Sequence, residues 1–262
     1  VAPSPIVACV GIVEDYTTCR SQRFKADGEV ILMVGARQAE MLGSLYVDAG
    51  FSAGRPAVPR IDFDAARCEI RAIIELVQAK LATAVHDISD GGLAVCLSEM
   101  AMGLEAGVSR GAEIRLPGDG GSLTAREFLF NEAGGFLLTV QALDVVAATD
   151  ILDKAGADWW SLGVVTDTDT LVVRGWQDEL LAEIGINAMT RGWQTALPRL
   201  MAGETAVDMV PNQAVRGDLA GVGNEQNPGD YRVSVNLGAK PRVAVMQLPG
   251  VNCEAESKRL LD

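Results

Sequence analysis

Val85-His86-Asp87-Ile88-Ser89-Asp90-Gly91-Gly92-Leu93 is the stretch on which the reading of this chain turns. It follows a short apolar run, Ala82-Thr83-Ala84-Val85, and precedes a helical pattern with apolar residues at Leu93, Leu97, Met100 and Ala101. A strand end, a tight turn and a helix start are therefore predicted. The turn is dense in oxygen, with Asp87 and Asp90 flanking Ser89. The pair Gly91-Gly92 lets the backbone turn sharply and approach a ligand closely. A helix N-terminus offers unpaired N–H groups and partial positive charge, which suits phosphate. Carboxylates beside such an anion suit a hard cation, and Mg2+ is usually shared between one or two carboxylates and phosphate oxygens. The stretch thus reads as a site for Mg-nucleotide or Mg-phosphate. The structural alternative is that Asp90 or Ser89 caps the helix and the glycines only make a turn. His86 is the sole histidine, and a lone histidine is more simply a satisfied core residue than a ligand.

Composition bounds the rest. With 262 residues, 48% of them hydrophobic, the chain can bury a sizeable core in one large domain, or in one domain with a piece of another. A formal charge of −13 repels nucleic acid and acidic membrane surfaces, so neither is an expected partner. Cys9, Cys19, Cys68, Cys96 and Cys253 are scattered and share no metal-ligand spacing. That pattern argues against a zinc site or disulfide framework and fits a reduced, cytoplasmic setting. Cys96 falls among apolar residues and is assigned to the core. No signal peptide is visible, and no apolar run reaches the ~18 residues that span a bilayer.

Outward from the turn, strands are predicted over 6–13, 29–34, 112–116, 136–140, 159–165 and 170–173, the last two joined by an Asp/Thr turn. A weak helical pattern over 39–49 is broken at Gly43. The clearest helix runs from Asp62 to Leu81, capped by Asp62 or Asp64, with Ile70, Ile73, Ile74, Val77 and Leu81 at the spacing of one buried face. Further helices are expected over 93–107, from a Ser122 cap to Asn131, over 143–155 with Leu143, Val146, Ile151 and Leu152 buried, over 178–184 and over 187–201. Asn131 and Glu132 either face a ligand at the end of the sheet or merely close a helix. Trp159-Trp160 reads as core or interface edge. This alternation argues for an α/β or α+β layered domain over residues 1–202. Residues 203–240 are rich in Gly and Pro and read as a linker, with a short edge strand over 231–235. From residue 241 a new pattern opens: a buried-type strand over 242–248, a turn at Pro249-Gly250-Val251-Asn252 and a helix over 253–261. The abrupt start, without an initiator Met, and the opening of a new unit at residues 241–262 both read as cuts in a longer polypeptide.

The run Ala84–Leu93, followed by Leu97-Ser98-Glu99-Met100-Ala101, resembles the HDxSDGGL…LxEMA pattern of the phosphoribosylformylglycinamidine synthase family of purine biosynthesis. Leu129-Phe130-Asn131-Glu132 is similar to that family's LF(N/S)E element. Leu42-Gly43-Ser44-Leu45-Tyr46 is similar to its LGGS-type motif, one glycine short, and Gly11–Asp15 to the segment entering the half-domain. Arg242–Glu254 resembles the first strand and turn of the family's glutamine amidotransferase domain. The resemblance implies a domain like the C-terminal half of the synthetase unit, with a mixed sheet covered by helices mainly on one face, then a linker and the first βα unit of an amidotransferase. It implies a parent ligase that turns ATP, glutamine and formylglycinamide ribonucleotide into formylglycinamidine ribonucleotide, ADP, phosphate and glutamate. It also implies Mg2+ and ATP or ADP at the turn, with Asp87 on the metal and Ser89, Gly91 and Gly92 at the nucleotide. No catalytic residue is assigned: the family's synthetase half is absent, and Cys253 lies in a PGVNCE turn rather than in a GxCxGxQ-type elbow, with no base beside it.

The chain by itself is therefore expected to be inactive and to partner with the missing synthetase half and glutaminase domain. A bare sheet face would leave an apolar surface and favour self-association. Two other readings stay open. One is a half-domain of another enzyme of the same ATP-binding superfamily, such as aminoimidazole ribonucleotide synthetase, thiamine-monophosphate kinase or a hydrogenase-maturation protein. The other is a non-catalytic docking or nucleotide-binding module.

Overall fold

The computed structural model describes residues 11–13, 15–52, 57–104, 107–202 and 215–216. Its centre is β1 (Val30–Val34), a continuous apolar run flanked on both sides by other strands. Such runs are what a strand buried on both faces requires. Around it lie β2 (Ala82–Asp87), β3 (Gly111–Arg115), β4 (Phe136–Val140), β5 (Trp159–Thr166), β6 (Thr170–Arg174), β7 (Leu180–Gly185) and β8 (Val215–Arg216). They form one mixed sheet in the order β2-β4-β1-β5-β3-β6-β7-β8. Neighbours are antiparallel except β3 and β6, which run parallel with Ala112 opposite Leu171.

Side-chain alternation sends β1 to two separate cores. Ile31 and Met33 join Leu93, Leu97 and Met100 of α3 (Gly92–Met102) and Phe128 and Leu129 of α4 (Ala125–Phe130). The start of α6 (Ile186–Met201) closes that side through Ile186. Leu32 and Val34 point the other way, to Ala72, Ile73 and Leu76 of α2 (Phe63–Gln78) and Ala148 and Leu152 of α5 (Val145–Ala155). Helices therefore cover both faces of the sheet, which corrects the expectation of helices mainly on one face. The short helix α1 (Leu45–Asp48) is all that forms of the pattern over 39–49.

Other expectations are corrected as well. Residues 178–184 are not a helix. Asp178 takes a left-handed φ of 67°, and Leu180 and Ala182–Gly185 pair with β6. The Asp/Thr turn does not make a hairpin of β5 and β6, because β3 lies between them. The cap of α4 is Thr124, not Ser122: its Oγ1 accepts from Glu127 N–H while Glu127 accepts from the Thr124 N–H. Asp62 caps α2 by accepting from Asp64 and Ala65. On α2 the buried stripe is Ala72, Ile73 and Leu76, whereas Ile70 and Ile74 are about half exposed. With Phe63 they form an outward stripe at spacings of seven and four, one helical face. Leu143 and Val146 are likewise exposed on neighbouring α5 and the turn before it, where Ala148 and Leu152 face the core. Trp160 packs on one core and Trp159 on the other.

Within β2 the register shifts between Ala82 and Ala84. The irregularity puts Ala84 with the α3 core although Ala82 belongs to the α2 core. Downstream, Val85 packs on the α2 side and His86 reaches α3.

Of the segment predicted as a linker, only Val215–Arg216 is described, and it pairs with β7 at the sheet edge. Of the strand predicted over 6–13, residues 11–13 are described and are not in a strand, and the rest lies outside the described residues, as do the predicted strands over 231–235 and 242–248, the helix over 253–261 and Cys253. No helix among the described residues is long and apolar enough to cross a membrane.

Candidate functional site

Asp87 is the last residue of β2, paired with Phe136 at the start of β4. Its carboxylate is 65% exposed, with Oδ1 3.1 Å from His86 Nδ1. The opposite ring nitrogen of His86, Nε2, lies 2.8 Å from Glu99 Oε2 on α3. The lone histidine is thus almost buried yet polar in its contacts, bridging a carboxylate on the strand and another on the helix that follows. Ile88 anchors the turn: its side chain is buried and its N–H donates to Gly135 O at 2.9 Å.

The next residues settle the capping question. Gly91, with φ of 78°, occupies the N-cap of α3, and no side chain caps the helix. Ser89 and Asp90 are exposed, and neither side chain has a hydrogen-bond partner among the described residues. The structural alternative for those two residues, a helix cap, is therefore not what the fold uses. The glycines do the opposite of what their neighbours do and turn inward. Gly91 N–H donates to Glu132 Oε1 at 2.7 Å, and Gly92 N–H to Ser89 O at 3.0 Å. Gly92, at φ of 67°, lies against the end of α4, where a Cβ would come within 2.8 Å of Leu129 O and Asn131 O.

Asn131 and Glu132 resolve differently. Asn131 is fully buried; its Nδ2 donates to Glu40 O and its Oδ1 accepts from Ala133 N–H at 2.9 Å. It is structural. Glu132 is half-buried, and its Oε1 takes a second donor, Leu45 N–H, at 2.9 Å. Arg37 holds the same loop from inside the protein: its guanidinium donates to Asn131 O at 3.2 Å and to Gly134 O. Burial lowers the Arg37 pKa to about 10, partly offset by Glu69. Glu69 is pushed up by burial, with Arg37 pulling the other way. Burial raises the Cys96 thiol well above its usual range, with Glu99 and Asp87 adding to it, so Cys96 is an inert core residue. Arg37, and the contact between His86 and Glu99, had no sequence signal beyond their place in or near the motifs, because their partners are distant in the chain.

One concavity borders this turn and another lies beside Glu132. The first, of about 560 Å3, is lined by Arg20, Gln22, Val77, His86 and Asp87. The other, of about 330 Å3, is lined by Gly43, Ser44, Pro59, Ile61 and Glu132. No cluster of three His, Cys, Asp or Glu side chains able to cage a metal exists among the described residues. The exposed carboxylates of the turn, Asp87 and Asp90, with the Ser89 hydroxyl between them in sequence, fit Mg2+ held jointly with phosphate oxygens, the usual manner for this ion.

The family described as AIR synthase related protein, C-terminal domain, matches residues 26–175. Phosphoribosylformylglycinamidine synthase subunit PurL of Nostoc sp. is 33% identical over 206 residues, covering 76% of this chain and 26% of that protein. Among solved structures, T. maritima PurL complexed with FGAR superposes with a TM-score of 0.55 at 18% identity, over 66% of this chain and 30% of its own. T. maritima PurL complexed with ATP gives 0.52 at 18% identity, over 66% and 27%. These two structural likenesses speak for a shared fold, and the sequence match agrees with the resemblance carried by the motifs. The chain spans about a quarter of the curated relative it matches.

Proposed function

This chain belongs to the family of AIR synthase related proteins through their C-terminal domain, and on that premise we propose that it is the part of a phosphoribosylformylglycinamidine synthase that holds Mg-nucleotide at the Asp87–Gly92 turn. The observation that carries the reading is the division of the turn into two halves. Asp87 and Ser89 face solvent at the end of a strand, while Gly91 donates its N–H inward to Glu132 and Gly92, whose N–H closes the turn on Ser89 O, packs against the end of α4. Asp87 is the metal ligand and Ser89 the hydroxyl donor to a phosphate oxygen. Gly91 and Gly92, expected at the nucleotide, serve it by shaping the backbone on which those two residues stand. Mg2+, when bound, neutralises charge on the phosphate oxygens.

In the parent reaction as proposed, the amide oxygen of formylglycinamide ribonucleotide is activated by phosphate from ATP, and ammonia from glutamine then displaces that phosphate. The products are formylglycinamidine ribonucleotide, ADP, phosphate and glutamate. Nucleotide at Asp87 serves either this chemistry or the architecture of the enzyme. Glutamine as donor, the amidotransferase start over Arg242–Glu254, the remaining synthetase half as partner and a cytoplasmic setting all belong to the same proposal.

Calorimetry with Mg-ADP and Mg-ATP, on this chain and on Asp87→Ala, tests it. The expected result is binding that weakens at least ~10-fold in the variant and in excess chelator, about the loss of one charge-assisted contact. Binding that is absent from the wild-type chain, with the synthetase half supplied in trans, or that is unchanged in Asp87→Ala, overturns the assignment.

A further inference from the structure

We infer that Glu132 is a positioning residue for the ligand turn: it fixes the Gly91 end of the loop that carries Ser89 without itself touching the nucleotide, an assignment that rests on the function proposed above. One carboxylate oxygen, Oε1, accepts from two amides that belong to different segments. These are Gly91 N–H at 2.7 Å, where α3 begins, and Leu45 N–H at 2.9 Å, where α1 begins. Neither helix start supplies its own cap. Gly91 has no side chain, and the Ser44 hydroxyl is turned back to Met41 O at 2.6 Å. Glu132 therefore accepts an N–H at each helix start from a third segment, much as the glutamate of a capping box accepts the N-cap N–H of its own helix. A charged acceptor makes these bonds stronger than neutral ones.

The carboxylate is a fixed point because its own backbone is fixed. Asn131 is tied on both sides of its amide, to Glu40 O and to Ala133 N–H. Buried Arg37 donates to the carbonyls of Asn131 and Gly134, bracketing Glu132. The Asp87 end of the turn is held independently, by Ile88 N–H on Gly135 O and by His86. Glu132 is thus what holds the Gly91 end.

The test compares Glu132→Ala with Glu132→Gln, which keeps an acceptor oxygen but not the charge. Amide resonances and hydrogen exchange of Gly91 and Leu45 are recorded by NMR, and Mg-ADP affinity by calorimetry. In Glu132→Ala both amides should move together and exchange faster, and Mg-ADP affinity should fall about tenfold, the worth of a charged hydrogen bond. Glu132→Gln should restore most of both. Unchanged Gly91 and Leu45 amides in Glu132→Ala overturn the inference. So does a wild-type affinity for Mg-ADP that Glu132→Ala leaves intact. If the wild-type chain binds no Mg-ADP, the proposed function is what falls, and the two amides still decide what Glu132 does.

Discussion

Replacing Gly92 by Ala tests whether the second glycine of the turn is a packing requirement. Two penalties are readable from its surroundings. At φ of 67° the residue is left-handed, which costs an L-residue roughly 1–2 kcal/mol. The new methyl would lie 2.8 Å from Leu129 O, Phe130 C and Asn131 O, all backbone atoms of the α4 end. Backbone cannot swing aside as a side chain can, so relief means moving α4 or α3, an overpacking cost of about 1–3 kcal/mol. The sum is about 3 kcal/mol, or a fall in Tm of roughly 6–12 °C for a domain of this size. Thermal unfolding followed by circular dichroism at neutral pH measures it. Gly91→Ala is the comparison: there the clash is with Val95 Cγ2, a side chain, and Val95→Ala should recover part of the loss while leaving the φ penalty. A Gly92→Ala protein melting within about 2 °C of wild type, an interval worth less than ~1 kcal/mol, would show that α3 and α4 do not meet as described.

Two further outcomes are expected. Burial raises the Glu69 carboxyl, so the folded state holds its proton more tightly than the unfolded chain does. That contribution is present below the ordinary carboxylate range and lost as pH rises through the raised value. Urea titrations should therefore show Glu69→Gln gaining stability relative to wild type as pH rises above the ordinary carboxylate range, and a difference that shrinks with rising pH would contradict the burial argument. The outward stripe of Phe63, Ile70 and Ile74 on α2 favours self-association. Sedimentation should show concentration-dependent dimers, weakened roughly tenfold by Ile74→Glu, and a strictly monomeric profile at high concentration would remove the idea.

What the amino-acid order reveals here follows the range of the forces involved. β4 is found where its apolar run and the preceding Gly134-Gly135 put it, over Phe136–Val140, because both signals are local. The helix α2 is equally legible, but its buried face is not. Two apolar stripes share the helix, and periodicity alone does not say which one meets the sheet. Residues 178–184 are too few for a helical pattern to be told from a strand, and their pairing with β6 decides the matter. The strand end, turn and helix start around Asp87–Gly92 are legible because their signals lie within a few residues. The supports of the turn are not: Glu132 bonds across 41 residues to Gly91 and 87 to Leu45, and Arg37 across 94 to Asn131. That α2 and α5 form a layer on the second face is not legible for the same reason, since which face a helix covers depends on contacts made between distant segments.

The register shift in β2 has a consequence for how this protein can vary. Upstream of it, odd and even positions address one pair of faces; downstream, the assignment is reversed. The shift acts as a phase inverter placed just ahead of the turn, and it decides that His86 meets Glu99 while Asp87 stays at the rim. Length is therefore locked over Ala82–Asp87 in a way that composition is not. Losing a single residue there would exchange the places of the imidazole and the carboxylate, whereas many substitutions of one small apolar residue for another would leave both where they stand.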